Sequence, residues 1–291
     1  MLTSCEAMAS SPAIEVRDLR KAYGEVEAVR GIDFNVARGE IYGLLGPNGA
    51  GKTSTVEILE GYRARSSGDV SVLGHDPQTR PRELRRRVGI VLQSSGIYSQ
   101  VHVAEVVAHF AGFYPHPRDV DEVIELVGLG EKRDERARRL SGGQRRRLDL
   151  ALALIGDPEL IFLDEPTTGF DPAARRTAWQ TIRSLKDLGK TVLLTTHYLD
   201  EAQELADRVA IIKGGQILAE GSPAQLGVGG GSRYRVAYVR DGEPVVHQTD
   251  DPTRLLHELT GAAIAGGEPL EGLSVTRPSL EEIYLELTAD A

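Results

Sequence analysis

Gly46, Pro47, Asn48, Gly49, Ala50, Gly51, Lys52 and Thr53 stand in the order glycine, four residues, Gly-Lys-Thr, a pattern suited to holding phosphate. Glycines let successive backbone N–H groups curl around anionic oxygens with no Cβ in the way. A helix opening at the end of such a loop adds the positive end of its dipole. The Lys52 ammonium can reach the β- and γ-phosphates of a nucleotide, and the Thr53 hydroxyl can bind Mg2+. The plainer alternative is a Gly-rich strand-to-helix turn. The apolar run 41–45 before the loop and the helical pattern 53–59 after it favour the phosphate site.

A second constellation is the apolar run 160–163 ending in Asp164 and Glu165. An Asp at the C-terminal edge of a buried strand holds Mg2+ directly or through water. The neighbouring Glu165 can then orient and polarise an attacking water. A helix cap or a solvated strand end would look the same in isolation, and the phosphate loop gives the metal reading its weight. Ser141, Gly142, Gly143 and Gln144 open a helix with an apolar stripe at Leu148, Ala151, Leu152 and Ile155. The free N–H groups and positive dipole end there suit a γ-phosphate, although an ordinary N-cap has the same residues. The Arg145, Arg146, Arg147 run reads as a solvated helix face. Asp171, just before Pro172, reads as a turn residue or the cap of the next helix.

These groups need a rigid frame. The runs 41–45, 88–92, 160–163, 192–194 and 209–212 are continuously apolar, as in parallel strands buried on both faces, and helical patterns lie between several of them. Residues 14–19 and 32–36 alternate apolar and polar, like half-buried strands. From Gln93 to Ile155 the pattern becomes mostly helical, with helices expected over 103–110 and 120–127. The expected organisation is a leader over 1–12, an α/β domain over 13–226 with a helical insertion at about 94–155, and an accessory region over 227–291 after a Gly-rich break. In that last region Tyr234, Val236 and Tyr238 alternate like a strand, and Leu280, Ile283, Tyr284 and Leu287 share one helical face.

The chain has 291 residues, 41% hydrophobic and 26% charged, which is ordinary for a folded protein of one large domain with an appendage or of two modest domains. A net charge of −9 argues against a general nucleic-acid surface. The single cysteine, Cys5, cannot form an internal disulfide. No apolar run reaches the roughly 18–20 residues that span a bilayer.

Taken together, Leu140, Ser141, Gly142, Gly143 and Gln144 resemble the signature sequence of ATP-binding subunits of ABC transporters, at the family's spacing before Asp164. The resemblance covers roughly residues 14–226. It implies an α/β fold: a P-loop NTPase (RecA-like) core with an antiparallel β subdomain and an inserted helical subdomain, plus a small C-terminal α+β appendage. It implies that Tyr23 stacks on adenine, that Gln93 touches Mg2+ and senses the membrane partner, that Asp171 lies at a dimer interface, and that His197 is the switch histidine. It further implies that Lys52, Glu165 and His197 serve ATP hydrolysis and that Thr53, Gln93 and Asp164 serve the metal. Ser54 replaces the commoner threonine but keeps a hydroxyl.

Two such chains, identical or paralogous, would pair head to tail around two ATP molecules, each offering Ser141 to Gln144 to the nucleotide of the other. They would drive a separately encoded integral-membrane permease from the cytoplasmic face of the membrane. The stretches around Gln144 and Asp164, and the terminal segment 278–287, look like the daunorubicin-type export branch. A soluble ABC ATPase of ribosomes or nucleic acid is the alternative from another class. The single cassette, the one cysteine and the acidic balance disfavour it. An importer ATPase is the alternative within the transporter class.

Overall fold

The computed structural model describes residues 11–91, 100–224, 226, 234–240, 242–267, 269–276 and 280–289. Gln93, most of the leader, the Gly-rich break and Pro278 with Ser279 lie outside the described residues. The chain separates into two compact units, residues 1–218 and 219–291.

The first unit opens with β1 (Ile14–Tyr23) and β2 (Val26–Val36), which pair as an antiparallel hairpin. Then come β3 (Ile41–Leu45), α1 (Lys52–Leu59), β4 (Ser67–Val72), α2 (Arg82–Arg87) and β5 (Val88–Val91). The helical stretch holds α3 (Val103–Ala111), α4 (Val120–Leu126) and α5 (Gly142–Leu154). The chain returns through β6 (Leu160–Asp164), α6 (Pro172–Asp187), β7 (Thr191–Thr196), α7 (Leu199–Leu205), β8 (Arg208–Lys213) and β9 (Gln216–Gly221), the last of which runs across the unit boundary at residue 218. Among the described residues, β2-β1-β4 form an antiparallel sheet and β5-β6-β7-β3-β8-β9 a larger one. The pairs β5–β6, β6–β7, β7–β3 and β3–β8 are all parallel.

Side chains alternate across a strand, so a strand buried on both sides feeds two cores. Ile41, Ile161, Leu163, Val192 and Leu194 pack with the helices α3, α4 and α5. Tyr42, Leu44, Leu160, Phe162 and Leu193 pack with α1 and the antiparallel sheet. Of the four-residue stripe read from the sequence, Leu148, Ala151 and Ile155 are buried and Leu152 is half-buried, while Leu150, Ala153 and Leu154 are buried as well. With β3, β6 and β7 adjacent and parallel, their C-terminal ends finish at one edge of the sheet. Ligands of open α/β sheets bind at that edge.

The second unit is itself α+β. Its strands β10 (Tyr234–Arg240), β11 (Glu243–Thr249) and β12 (Glu271–Thr276) form an antiparallel sheet in the order β11-β10-β12. Its helices are α8 (Pro252–Gly266) and α9 (Leu280–Ala289). Val236 and Tyr238 are buried from one face of β10, as the alternation suggests.

Phe162 is completely buried in the central strand β6. Phe162→Ala should destabilise the chain by about 3–5 kcal/mol, read as a lower urea midpoint with an unchanged slope.

Candidate functional site

The phosphate loop runs from the end of β3 into α1. Gly46 approaches the neighbouring strand so closely that a Cβ there would lie 2.2 Å from the Ile212 carbonyl oxygen. Gly51 sits at φ +106°, and a Cβ there would lie 2.5 Å from the Ala28 carbonyl oxygen. Both positions therefore require glycine. Gly51 is also the N-cap of α1 and supplies no side-chain cap, so the first amide groups of that helix are left for another acceptor.

Lys52 is 5% exposed, and its Nζ donates to the Gly46 and Pro47 carbonyls at 2.6 and 3.1 Å. Burial pulls its pKa below the ordinary lysine range, opposed by the Glu165 and Asp164 carboxylates. Thr53, on the first turn of α1, is exposed. Tyr23, 40% exposed at the end of β1, has its hydroxyl 3.1 Å from Ser54 Oγ. The Lys21 and Arg63 cations lie 4.9 and 5.2 Å from the Tyr23 ring centre. The ring is therefore tied to the phosphate-loop helix.

Asp164 and Glu165 stand at the end of β6. The Thr195 hydroxyl on β7 donates to Asp164 Oδ1 at 2.6 Å and accepts from the Glu165 amide at 3.0 Å. Glu165 adopts φ +46°, a left-handed conformation that costs a non-glycine residue about 1–2 kcal/mol. Its Oε1 lies 3.2 Å from His197 Nδ1, within ion-pair distance but not aligned as a hydrogen bond. Its Oε2 accepts from the Thr168 hydroxyl at 3.1 Å. The His197 ring packs on Tyr198, which the Arg175 guanidinium of α6 covers at 4.6 Å. The fold thus gathers Lys52, Asp164, Glu165 and His197, with Tyr23 reaching from the end of β1 to Ser54 on the helix that follows the loop.

Ser141 to Gln144 belong to a different surface. Ser141 caps α5 reciprocally: its hydroxyl accepts from the Gln144 amide at 3.2 Å, and its own amide donates to Gln144 Oε1 at 2.9 Å. This helix start lines a groove of about 610 Å3 together with Glu165, Phe170 and Asp171, and no residue of the loop 46–53 borders it. Asp171 caps α6, its Oδ1 accepting from the Ala173 and Ala174 amides at 2.9 and 2.8 Å.

The arginine run is only partly the solvated face that its charges suggest. Arg145 is exposed, but Arg146 and Arg147 are half-buried. Arg146 donates to the Asp164 and Pro166 carbonyls, and Arg147 Nη1 to the Gly128 carbonyl at 2.8 Å. Helix packing brings these carbonyls over the run, and charge pattern alone does not report that.

Three further groups escaped the sequence reading. Thr195 had a signal, a hydroxyl at the end of an apolar strand. Glu201, wholly buried on α7, accepts at Oε1 from the Thr167 hydroxyl and the Trp179 indole, at 2.7 and 3.1 Å. Glu60, just after α1, is pushed up to about 8, first by burial and then by the Asp164 and Glu57 carboxylates.

Residues 29–168 match the ABC transporter family. The chain is 36% identical to the daunorubicin/doxorubicin resistance ATP-binding protein of Streptomyces peucetius, over 95% of this chain and 92% of that one. It is 38% identical to the Nod factor export ATP-binding protein I of Rhizobium sp. (strain N33), over 96% of this chain and 98% of that one. A solved ATP-binding subunit of an ABC transporter superposes with a TM-score of 0.69 at 23% identity, covering 95% of this chain and 99% of that one. At that identity the superposition shows the fold.

The raised Glu60 pKa makes stability depend on pH. An unshifted carboxyl, at 4.5, releases its proton before the folded one at about 8. Between those values the folded state holds the extra proton, so stability falls as pH rises through that window. Glu60→Gln should therefore leave the melting temperature nearly unchanged at about pH 4 and raise it near pH 9. Calorimetry of the nucleotide-free chain checks this, and an equal gain at both pH values would contradict the shift.

Proposed function

The chain belongs to the ABC transporter family, as one of its ATP-binding subunits, and from that premise we propose that it hydrolyses ATP to drive export through a membrane subunit carried on another chain. The observation that carries this reading is the meeting of Lys52, Asp164, Glu165 and His197 at the ends of β3, β6 and β7. No described helix is long and apolar enough to cross a membrane. In this reading the membrane subunit is a separate chain, with this one held at its cytoplasmic face. The two relatives are named for drug resistance and for Nod factor export, which supports export as the direction.

In this mechanism the uncapped start of α1 and Lys52 receive the β- and γ-phosphates. Lys52 exchanges its bonds to the Gly46 and Pro47 carbonyls for phosphate oxygens, so it is held in place before the nucleotide arrives. Tyr23 supplies an aromatic face for the adenine.

The donor set fits Mg2+. Asp164 offers a hard carboxylate oxygen and Thr53 an exposed hydroxyl, the oxygen donors that Mg2+ prefers. Gln93 would be a further ligand. When bound, the ion neutralises charge on the β- and γ-phosphates.

Glu165 accepts a proton from water as the water oxygen attacks the γ-phosphorus and the bond to the ADP oxygen breaks. His197, beside Glu165, donates to the γ-phosphate and holds it in line. The reaction needs little more than positioning and charge stabilisation.

The groove that Ser141 to Gln144 line includes no residue of the loop 46–53, which supports their use on the nucleotide of a facing copy. Because one chain carries the phosphate loop, the carboxylates and the signature helix, two copies make two complete sites. Asp171, in the same groove, lies at the joint between them. The division into a cassette over 13–226 and an accessory region over 227–291 belongs to the same reading.

Glu165→Gln should slow turnover by about 100-fold or more while ATP affinity changes little. Hydrolysis and calorimetric binding measured together check this, and normal turnover would remove Glu165 from its role. Ser141→Arg should leave ATP binding to the single chain intact and abolish the ATP-dependent dimer that Glu165→Gln accumulates. Light scattering on the double variant reads this out, and a normal dimer would contradict pairing through that helix start.

A further inference from the structure

Arg146 stands on the second turn of α5, the helix that begins with Ser141 to Gln144. Its Nη2 donates to the Asp164 carbonyl at 2.6 Å and its Nε to the Pro166 carbonyl at 3.3 Å. These are the carbonyls on either side of Glu165 in the chain. From the opposite side, the Glu165 amide donates to the Thr195 carbonyl and hydroxyl at 3.2 and 3.0 Å. The turn is thus gripped from two elements at once, α5 and β7.

That grip has a physical purpose. Glu165 is at φ +46°, where its Cβ crowds the backbone. Such a conformation persists only when its surroundings over-determine it. Pro166 has no N–H and cannot stabilise the turn through its own amide. A guanidinium suits the task because its donors lie in one rigid plane and can reach two carbonyls together, whereas an ammonium is a single point. Arg146 is half-buried, and the buried Asp149, one helical turn along α5, offsets the cost of holding the charge there. The groove at the start of α5 is lined by Ser141, Gln144, Arg146 and Glu165 alike, so one surface joins the helix start to the carboxylate.

We propose that Arg146 is a positioning residue that clamps the turn from Asp164 to Pro166 and sets the Glu165 carboxylate according to the seating of the Ser141 helix. The device links the helix that engages the facing chain's nucleotide to the group that activates water in its own site. Hydrolysis at one site then responds to engagement at the other. This rests on the reading of Glu165 as the group that accepts the proton from water.

The test uses the full chain carrying Arg146→Met, which removes the donors but keeps an unbranched stem, and Arg146→Lys, which keeps one point donor. Each is made in the parent and in the Glu165→Gln background. Arg146→Met should lower kcat about tenfold or more, with KM for ATP within about threefold of the parent, and Arg146→Lys should fall between. In the Glu165→Gln background the same substitution should change residual turnover by less than about twofold, because its route to chemistry is already cut.

A parent-like kcat for Arg146→Met, or an equal proportional loss in both backgrounds, would overturn the proposal. If Arg146→Met does not fold, Arg146→Lys decides: a lowered kcat with unchanged KM supports the clamp, and a parent-like kcat overturns it. A parent chain that does not hydrolyse ATP, or is indifferent to Glu165→Gln, overturns the ATPase reading and the clamp with it. An active, Glu165-dependent parent with a silent Arg146 overturns the clamp alone.

Discussion

The Thr195 hydroxyl, donating to Asp164 Oδ1 and accepting from the Glu165 amide, is the contact on which the site's geometry depends. It fixes the end of β6 to the end of β7, and so fixes the carboxylates relative to the segment that carries His197. The parallel pairing of β7 with β3 then places both beside the phosphate loop. If that register slipped by one residue, every side chain on the strand would change faces. The two apolar cores on either side of β3, β6 and β7 make such a slip prohibitive, because each would receive the wrong residues. Burial therefore sets the register, the register aligns the strand ends, and the aligned ends bring the charged groups together.

In the proposed function the site in one chain is incomplete, and the same geometry accounts for it. Lys52 and the uncapped amides of α1 can hold phosphate, but the second helix start, that of α5, opens into a groove without the phosphate loop. A capped helix start with two small glycines, neither crowded by other atoms at its Cβ position, is built for close approach by something outside the chain. In the proposed function that is the nucleotide of a second copy.

Much of this was legible in the sequence, and the reasons are local. A phosphate loop is recognisable because Gly46 and Gly51 answer to close backbone contacts and a left-handed turn that exclude other residues. Strands buried on both faces announce themselves as apolar runs. The caps at Ser141 and Asp171 were visible because capping is a neighbour effect. The groups that were missed answer to distant partners. Arg146 looked like one of three surface charges until α5 packed against the end of β6. Glu60 acquires its raised pKa first from burial in the folded chain and then from Asp164, far away in sequence. In the accessory region the one strand read from the sequence pairs with β11 and with β12, and β12 is exposed along its whole length.

The central claim is that one chain holds half of each working site. Turnover per chain at saturating ATP and Mg2+, followed across a dilution series together with the molecular mass, tests it most directly. The account predicts that turnover per chain falls as dilution separates the dimer, in step with the loss of dimer mass. Constant turnover per chain in solutions shown to contain only monomer would contradict it.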